Sequence, residues 1–154
     1  MRELEISRMT AADVAEIAAL EAVCFSDPWS EASVASELEN SLSLWLVARD
    51  AAGLLGYIGS QSVPDEADMM NLAVRPDARR QGVAQALLRA LEAALREKGI
   101  RSLTLEVRAG NAPAIRLYTQ AGFRQAGRRK NYYFHPKEDA LILTRDFAQE
   151  EGQA

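Results

Sequence analysis

Three groups of residues have the types and spacing that chemistry needs. Glu106 stands on the polar face of a segment whose other face is Leu103, Leu105 and Val107. A carboxylate there can take up a proton if burial or a relaying water offsets its solution pKa of about 4.3. The plainer reading is a surface glutamate paired with Arg108 or a cross-strand base. Tyr118 is a phenol with a pKa of about 10, so at neutral pH it is protonated and can donate. It shares a helical face with Ile115 and Gly122, and a packed aromatic is the alternative. The third group is Arg79-Arg80-Gln81-Gly82-Val83-Ala84, a turn that opens a helix. Unpaired N–H groups and partial positive charge at a helix start hold anions. Small residues let an anion approach the backbone, and arginines add donors. A helix that merely follows an exposed basic loop is the competing reading.

The turn lacks the Gly-Lys-Ser/Thr ending of a triphosphate loop and the three glycines of a dinucleotide fingerprint. The anion it suits is therefore a pyrophosphate bound without metal. One cysteine, Cys24, and one histidine, His135, cannot build the common zinc sites. Cys24 lies on an apolar helical stripe, where a buried structural thiol is expected rather than a nucleophile activated by His135.

These groups need elements to carry them. Leu4, Ile6 and Arg8 begin a strand, and Thr10 with Asp13 starts a helix through a capping box. Its apolar stripe combines Val14, Ile17, Ala18, Leu20, Ala22 and Cys24. Pro28 breaks the chain and Ser30 caps a second helix to about Glu39. Residues 42–48, 54–63 and 67–74 read as strands separated by turns at 50–53 and 64–66. Val83, Leu87, Leu91 and Leu95 recur every four residues and predict one long helix ending at Gly99. Residues 101–108 alternate as a strand. Asn111 caps a helix with Pro113 in its first turn. Residues 123–134 and 139–147 close the chain as strands. The order β-α-α-β-β-β-α-β-α-β-β predicts an α/β (α+β) protein, a mixed, mostly antiparallel sheet flanked by helices.

The chain's 154 residues, 48% hydrophobic and 26% charged, suit one ordinary soluble domain and exclude a disordered polymer or a fibre. A lone cysteine forms no internal bridge, so a reducing compartment is expected. The start, Met1-Arg2-Glu3-Leu4-Glu5, has no apolar signal core, and no apolar run reaches about 18 residues. A cytoplasmic protein without membrane contact is the expectation. The net charge of −4 hides an asymmetry: residues 1–74 hold 13 acids against 3 bases, and residues 75–154 hold 9 against 15. An acidic half suits a cationic partner and a basic half a polyanionic ligand, unless folding intermixes them.

Arg79-x-x-Gly82-x-Ala84 after a strand and opening a helix resembles the acetyl-CoA pyrophosphate loop of the GNAT acetyltransferase superfamily. Ala84 stands where a glycine is often seen. The element order resembles that fold too, from about Leu4 to Phe147. Further stretches resemble the RimI-type subfamily, bacterial N-terminal alanine acetyltransferases of a small-subunit ribosomal protein. They are Phe25-Ser26-Asp27-Pro28-Trp29-Ser30, Asn71-Leu72-Ala73-Val74, Leu105-Glu106-Val107-Arg108, Asn111-x-x-Ala114-Ile115-x-Leu117-Tyr118-x-x-x-Gly122-Phe123, and Arg129-x-Asn131-Tyr132-Tyr133 followed by Glu138-Asp139-Ala140.

The resemblance implies a GNAT fold as a single domain over 1–148, with a frayed tail at 149–154. It implies acetyl transfer from acetyl-CoA, without metal, by direct attack of an amine in a ternary complex. Glu106 would be the general base and Tyr118 the donor to the departing thiolate, also touching the cofactor. The backbone of Leu72, Ala73 and Val74 would pair with pantetheine and offer an N–H to the thioester oxygen. Arg79, Arg80, Gln81, Gly82, Val83 and Ala84 would hold the pyrophosphate, and Asn111 would contact the cofactor besides capping its helix. Trp29, Tyr132 and Tyr133 either line a peptide groove or serve as packing surface. Asp27, Glu31, Glu37 and Glu39 either meet a basic protein N-terminus or form a solvated face. Arg128-Arg129-Lys130 reads as surface charge rather than an RNA site. No nucleic-acid partner is expected, and a monomer is favoured. An acetyltransferase of lysine or small amines, and a non-catalytic acyl-CoA-binding regulator, are the alternatives.

Overall fold

The structure, a computed structural model, describes residues 4–134 and 136–147. His135 and the tail 149–154 lie outside the described residues. The elements follow the expected order: β1 (Glu5–Arg8), α1 (Val14–Cys24), α2 (Glu31–Ser36), β2 (Ser43–Asp50), β3 (Gly53–Val63), β4 (Glu66–Val74), α3 (Val83–Glu97), β5 (Ser102–Arg108), α4 (Ala112–Gln120), β6 (Arg124–Phe134) and β7 (Lys137–Asp146). The strands form one mixed sheet in the order β1-β2-β3-β4-β5-β7-β6. Pairs β1–β2, β2–β3, β5–β7 and β6–β7 are antiparallel, and β4–β5 is parallel. Single-turn 3₁₀ segments at Ala11–Asp13, Glu37–Glu39 and Pro76–Ala78 were not legible from periodicity. The chain forms two compact units, residues 4–61 with 70–94, and residues 62–69 with 95–147.

In the first unit the core gathers Val14, Ile17, Leu20, Val34, Trp45, Val47, Leu54 and Tyr57. The predicted box opens this helical region: the Thr10 N–H donates to the Asp13 carboxylate at 2.8 Å, and Arg49 pairs with the same carboxylate. Burial alone would raise the Asp13 pKa, but the Thr10 amide and Arg49 outweigh it and hold it low. The stripe of α1 departs from expectation. Ala22 is exposed, and Glu21 is wholly buried between Leu20 and Cys24. Ser30 caps α2 as predicted, its Oγ accepting the Ser33 N–H at 3.0 Å. Gly59 is required because the Trp45 ring occupies the space a Cβ would fill. Along α3, Val83, Leu87, Leu91 and Leu95 are all buried, which is the burial that drives this amphipathic helix to form.

In the second unit β5 alternates as read. Leu103, Leu105 and Val107 are buried, while Thr104, Glu106 and Arg108 are half-exposed. The beginning of β4 pairs with β5 from Glu66↔Ser102 to Asp68↔Thr104. Asn111 caps α4 with its Oδ1 accepting the Ala114 N–H at 3.2 Å, and Gly122 ends it at φ +100°. Tyr118 is the buried residue of α4. No helix among the described residues is long and apolar enough to cross a membrane.

Candidate active site

Glu106 is the centre of a side-chain group built wholly within the second unit. Strand order brings β6 to it across β7: Glu106 is registered with Ile142, and Ile142 with Gly127. From β6, Arg129 reaches Glu106 Oε1 at 3.6 Å. Arg129 also lies 5.7 Å from the centre of the Tyr132 ring, which places Tyr132 beside Glu106, and interaction with that carboxylate raises the Tyr132 phenol more than burial does. Glu106 Oε2 is buried and has no hydrogen-bond partner among the described residues. A buried carboxylate oxygen without a donor is costly. Two residues along β5, the Arg108 guanidinium lies over the Tyr133 ring at 4.2 Å. Arg108 also pairs with Glu138 at 3.4 Å, and the Gly110 N–H donates to the same carboxylate at 2.6 Å. Tyr132 and Tyr133 meet edge to face at 5.1 Å. Burial, then the nearby Glu106 charge, raises the Tyr133 pKa.

Tyr118 is 6% exposed and packs edge to face on Phe123 at 5.7 Å. Burial first, and Tyr133 second, hold its phenol far above the ordinary value. It is therefore a persistent proton carrier. It is also the packed aromatic that its helical face predicted.

The remaining candidates lie in the first unit. Leu72, Ala73 and Val74 end β4. Arg79 turns back there, its Nε donating to the Val74 carbonyl at 3.2 Å and its Nη2 lying 3.4 Å from Cys24 Sγ. Cys24 is thus half-exposed beside a guanidinium, not the buried thiol that its helical stripe predicted. Arg80 and Gly82 adopt left-handed backbone at φ +63° and +84°. Gln81 is held by its amide donating to the Asp77 carbonyl at 3.2 Å. The first helical bond of α3 runs from the Ala86 N–H to the Gly82 carbonyl, so the amides of Val83, Ala84 and Gln85 lack intrahelical acceptors. Among the described residues, its two chain neighbours aside, nothing lies within 4 Å of where a Gly82 Cβ would stand.

Trp29 is half-buried, edge-on to Trp45 at 5.3 Å, and Trp45 stacks on Tyr57 at 5.7 Å. The Trp29 N–H donates 2.8 Å to Glu21, whose other oxygen accepts from Tyr57 and Asn71. Sequence reasoning missed Glu21; a lone acid at the i+4 position from Ile17 was the signal. One further reading changes. Glu37 is buried rather than facing solvent, whereas Asp27, Glu31 and Glu39 are exposed. Arg128, Arg129 and Lys130 are exposed, as the surface-charge reading expects, and Arg128 pairs with Asp139 and Arg129 with Glu106. Among the described residues no group of three or more His, Cys, Asp or Glu side chains could hold a metal ion.

Comparison with known proteins agrees with this architecture. The chain is 39% identical over 141 residues to the ribosomal protein bS18-alanine N-acetyltransferase of Escherichia coli K12, covering 90% of this chain and 94% of that one. It is 38% identical over 141 residues to the enzyme of the same name from Salmonella typhimurium, with the same coverage. The crystal structure of the Escherichia coli ribosomal-protein-S18-alanine N-acetyltransferase superposes with a TM-score of 0.87 at 36% identity, covering 94% of each chain. Residues 14–123 match the model of the acetyltransferase (GNAT) family. With a seven-stranded, mostly antiparallel sheet and four α-helices among the described residues, this chain belongs to the GNAT acetyltransferase family.

Proposed function

We propose that this chain moves acetyl from acetyl-CoA to the α-amine of an N-terminal alanine on a ribosomal protein. The observation that carries the chemistry is Glu106, a carboxylate with Arg129 at Oε1, Tyr132 beside it, and a buried Oε2 without a hydrogen-bond partner among the described residues. The acceptor is argued from relatives that bear that activity in their names at 39% identity over 141 residues. Exposed Asp27, Glu31 and Glu39 suit a basic protein N-terminus. The lone cysteine fits a reducing cytoplasm.

The residues of the turn fit the diphosphate of acetyl-CoA. Left-handed Arg80 and Gly82, open space beside Gly82 and three helix amides without intrahelical acceptors make an anion cradle. In this reading residues 79–84 take the diphosphate, the backbone of residues 72–74 takes the pantetheine amides, and Asn111 adds a polar contact. An α-amine has a pKa near 7.7–8.0, so much of it is protonated at neutral pH. Glu106 removes that proton, directly or through water, and the neutral nitrogen attacks the thioester carbon. The C–S bond breaks as the C–N bond forms, and the newly bonded nitrogen sheds its extra proton to solvent. Tyr118, held protonated by burial, delivers a proton to the departing sulfur, and its phenol is later restored from solvent.

A peptide starting with a free alanine, set against the same peptide with a blocked α-amine and a free lysine, tests the proposal. Acetylation of the first and not the second is the expected result. Modification of the lysine peptide alone would replace the acceptor, and binding of CoA with no transfer to either would replace the enzyme with a binding protein.

A further inference from the structure

Two consecutive residues of β6 address one face of β5. Tyr132 lies beside Glu106, and Tyr133 lies under Arg108. Glu106 and Arg108, two apart on β5, share a face. In a regular strand Tyr132 and Tyr133 would point to opposite faces, so something must break the alternation. The pairing of β6 with β7 shows where. Arg129 is opposite Ala140 and Tyr133 is opposite Glu138, so Lys130, Asn131 and Tyr132 share the single position of Asp139. The chain makes this detour through left-handed backbone at Asn131, φ +53°. Asparagine tolerates that conformation better than most residues.

The detour has one visible anchor. Asp139 Oδ1 accepts the Asn131 N–H at 2.9 Å, and its Oδ2 accepts Arg128 Nε at 2.7 Å. The Asp139 carbonyl accepts the Ala109 N–H at 2.9 Å, which fixes this part of β7 beside the end of β5. We infer that Asp139 is a positioning residue for acetyl transfer: its carboxylate pins the bulge at 130–132 and so sets Tyr132 beside Glu106. The role rests on Glu106 being the base of the proposed reaction. Bulges commonly re-aim side chains beside active sites, and here the re-aimed group is the phenol beside the base. The Asn131 amide, then Arg128, holds the Asp139 carboxyl below its ordinary value, so the anchor stays charged at neutral pH.

Removing the anchor should act through Tyr132 and nothing else. Asp139→Ala is expected to lower kcat for the alanine peptide between about ten- and a hundred-fold, with the KM for acetyl-CoA unchanged. Asp139→Asn keeps an oxygen for the Asn131 N–H and should recover most of that loss. Arg128→Gln, which removes only the ion pair, should stay close to wild type. In a Tyr132→Phe background, Asp139→Ala should add little further loss. Equal losses from Asp139→Ala in both backgrounds, or no rescue by asparagine, would overturn the inference. Should Asp139→Ala fail to fold, Asn131→Val opposes the left-handed backbone directly and carries the same expectation.

A second readout is independent of turnover. Alkaline absorbance titration, with Tyr132→Phe to identify the signal, should show the Tyr132 phenol above its ordinary pKa in wild type. The value should fall back in Asp139→Ala. An unmoved titration defeats the positioning role even if the enzyme is active. A shifted titration in a protein that does not acetylate the peptide leaves the positioning intact and defeats the base.

Discussion

Glu21→Ala should be among the most damaging single substitutions in the first unit. The carboxylate is 0% exposed and accepts from the Trp29 amide, the Tyr57 hydroxyl and the Asn71 side-chain amide. Tyr57 is itself 0% exposed, so water cannot replace its acceptor without entering the core. Of the three orphaned donors, the buried Tyr57 hydroxyl costs about 1–3 kcal/mol in full and the half-buried Trp29 and Asn71 groups cost less, and relief of the buried charge offsets part of this. A net loss of about 2–4 kcal/mol follows, or a fall in Tm of about 5–15 °C for a chain of this size. Urea unfolding should show a lower midpoint with the slope unchanged.

Glu21→Gln keeps an acceptor for Trp29 but turns an NH₂ toward Tyr57 and Asn71, and should lose about half as much. The comparison also has a pH signature. Burial raises the Glu21 carboxyl above its ordinary value, with the Trp29 amide opposing. Its contribution is therefore complete below the ordinary carboxylate range and declines as pH rises through the raised value. The advantage of wild type over Glu21→Gln should narrow as pH rises from the ordinary carboxylate range through the raised value. An alanine variant within about 1 kcal/mol of wild type would refute the network as a source of stability.

Other expectations follow from single residues. Gly82→Ala meets no clash but keeps a strained left-handed backbone, a cost of about 1–2 kcal/mol. The KM for acetyl-CoA should rise about 5–30-fold with kcat nearly constant, and an unchanged KM would remove the turn from cofactor binding. Tyr118→Phe should lower kcat more than about ten-fold while CoA still binds. Because burial raises the Tyr118 phenol, no alkaline loss of kcat traceable to Tyr118 is expected at or below its ordinary value of about pH 10, and one that vanishes in Tyr118→Phe would contradict the raised phenol. Asp13, held low by the Thr10 amide and Arg49 against burial, contributes stability above the ordinary carboxylate range that is lost as pH falls through its depressed value. Asp13→Asn should cost about 1–2 kcal/mol at pH 7 and much less in acid, as chemical denaturation at the two pH values would report.

The elements were legible where the physics is local. The four-residue recurrence of Val83, Leu87, Leu91 and Leu95 marked α3 because one buried stripe suffices to define a helix. Alternation marked β5 and placed Glu106 on its half-exposed face. Asn111 and Ser30 announced their helices by cap chemistry that needs only three residues.

What stayed hidden depends on partners far along the chain. Glu21 looks like any surface acid until Tyr57 and Asn71, 36 and 50 residues on, enclose it. The ion pair of Arg129 with Glu106 exists only because β7 lies between β5 and β6. The bulge that turns Tyr132 and Tyr133 to one face has no signature in Arg128-Arg129-Lys130-Asn131, which reads as plain surface charge. Family resemblance pointed to these motifs; the register of β6 on β7 supplies their physical reason.

The most direct test is the rate of acetyl appearance on the α-amine of an alanine-initiated peptide, followed by mass spectrometry in wild type and Glu106→Gln at saturating acetyl-CoA. At neutral pH the variant should be more than about ten-fold slower. The deficit should shrink as pH rises past the amine pKa of about 8, where the nucleophile is neutral without help. Equal rates at neutral pH, or a deficit that persists undiminished at high pH, would contradict Glu106 as the base.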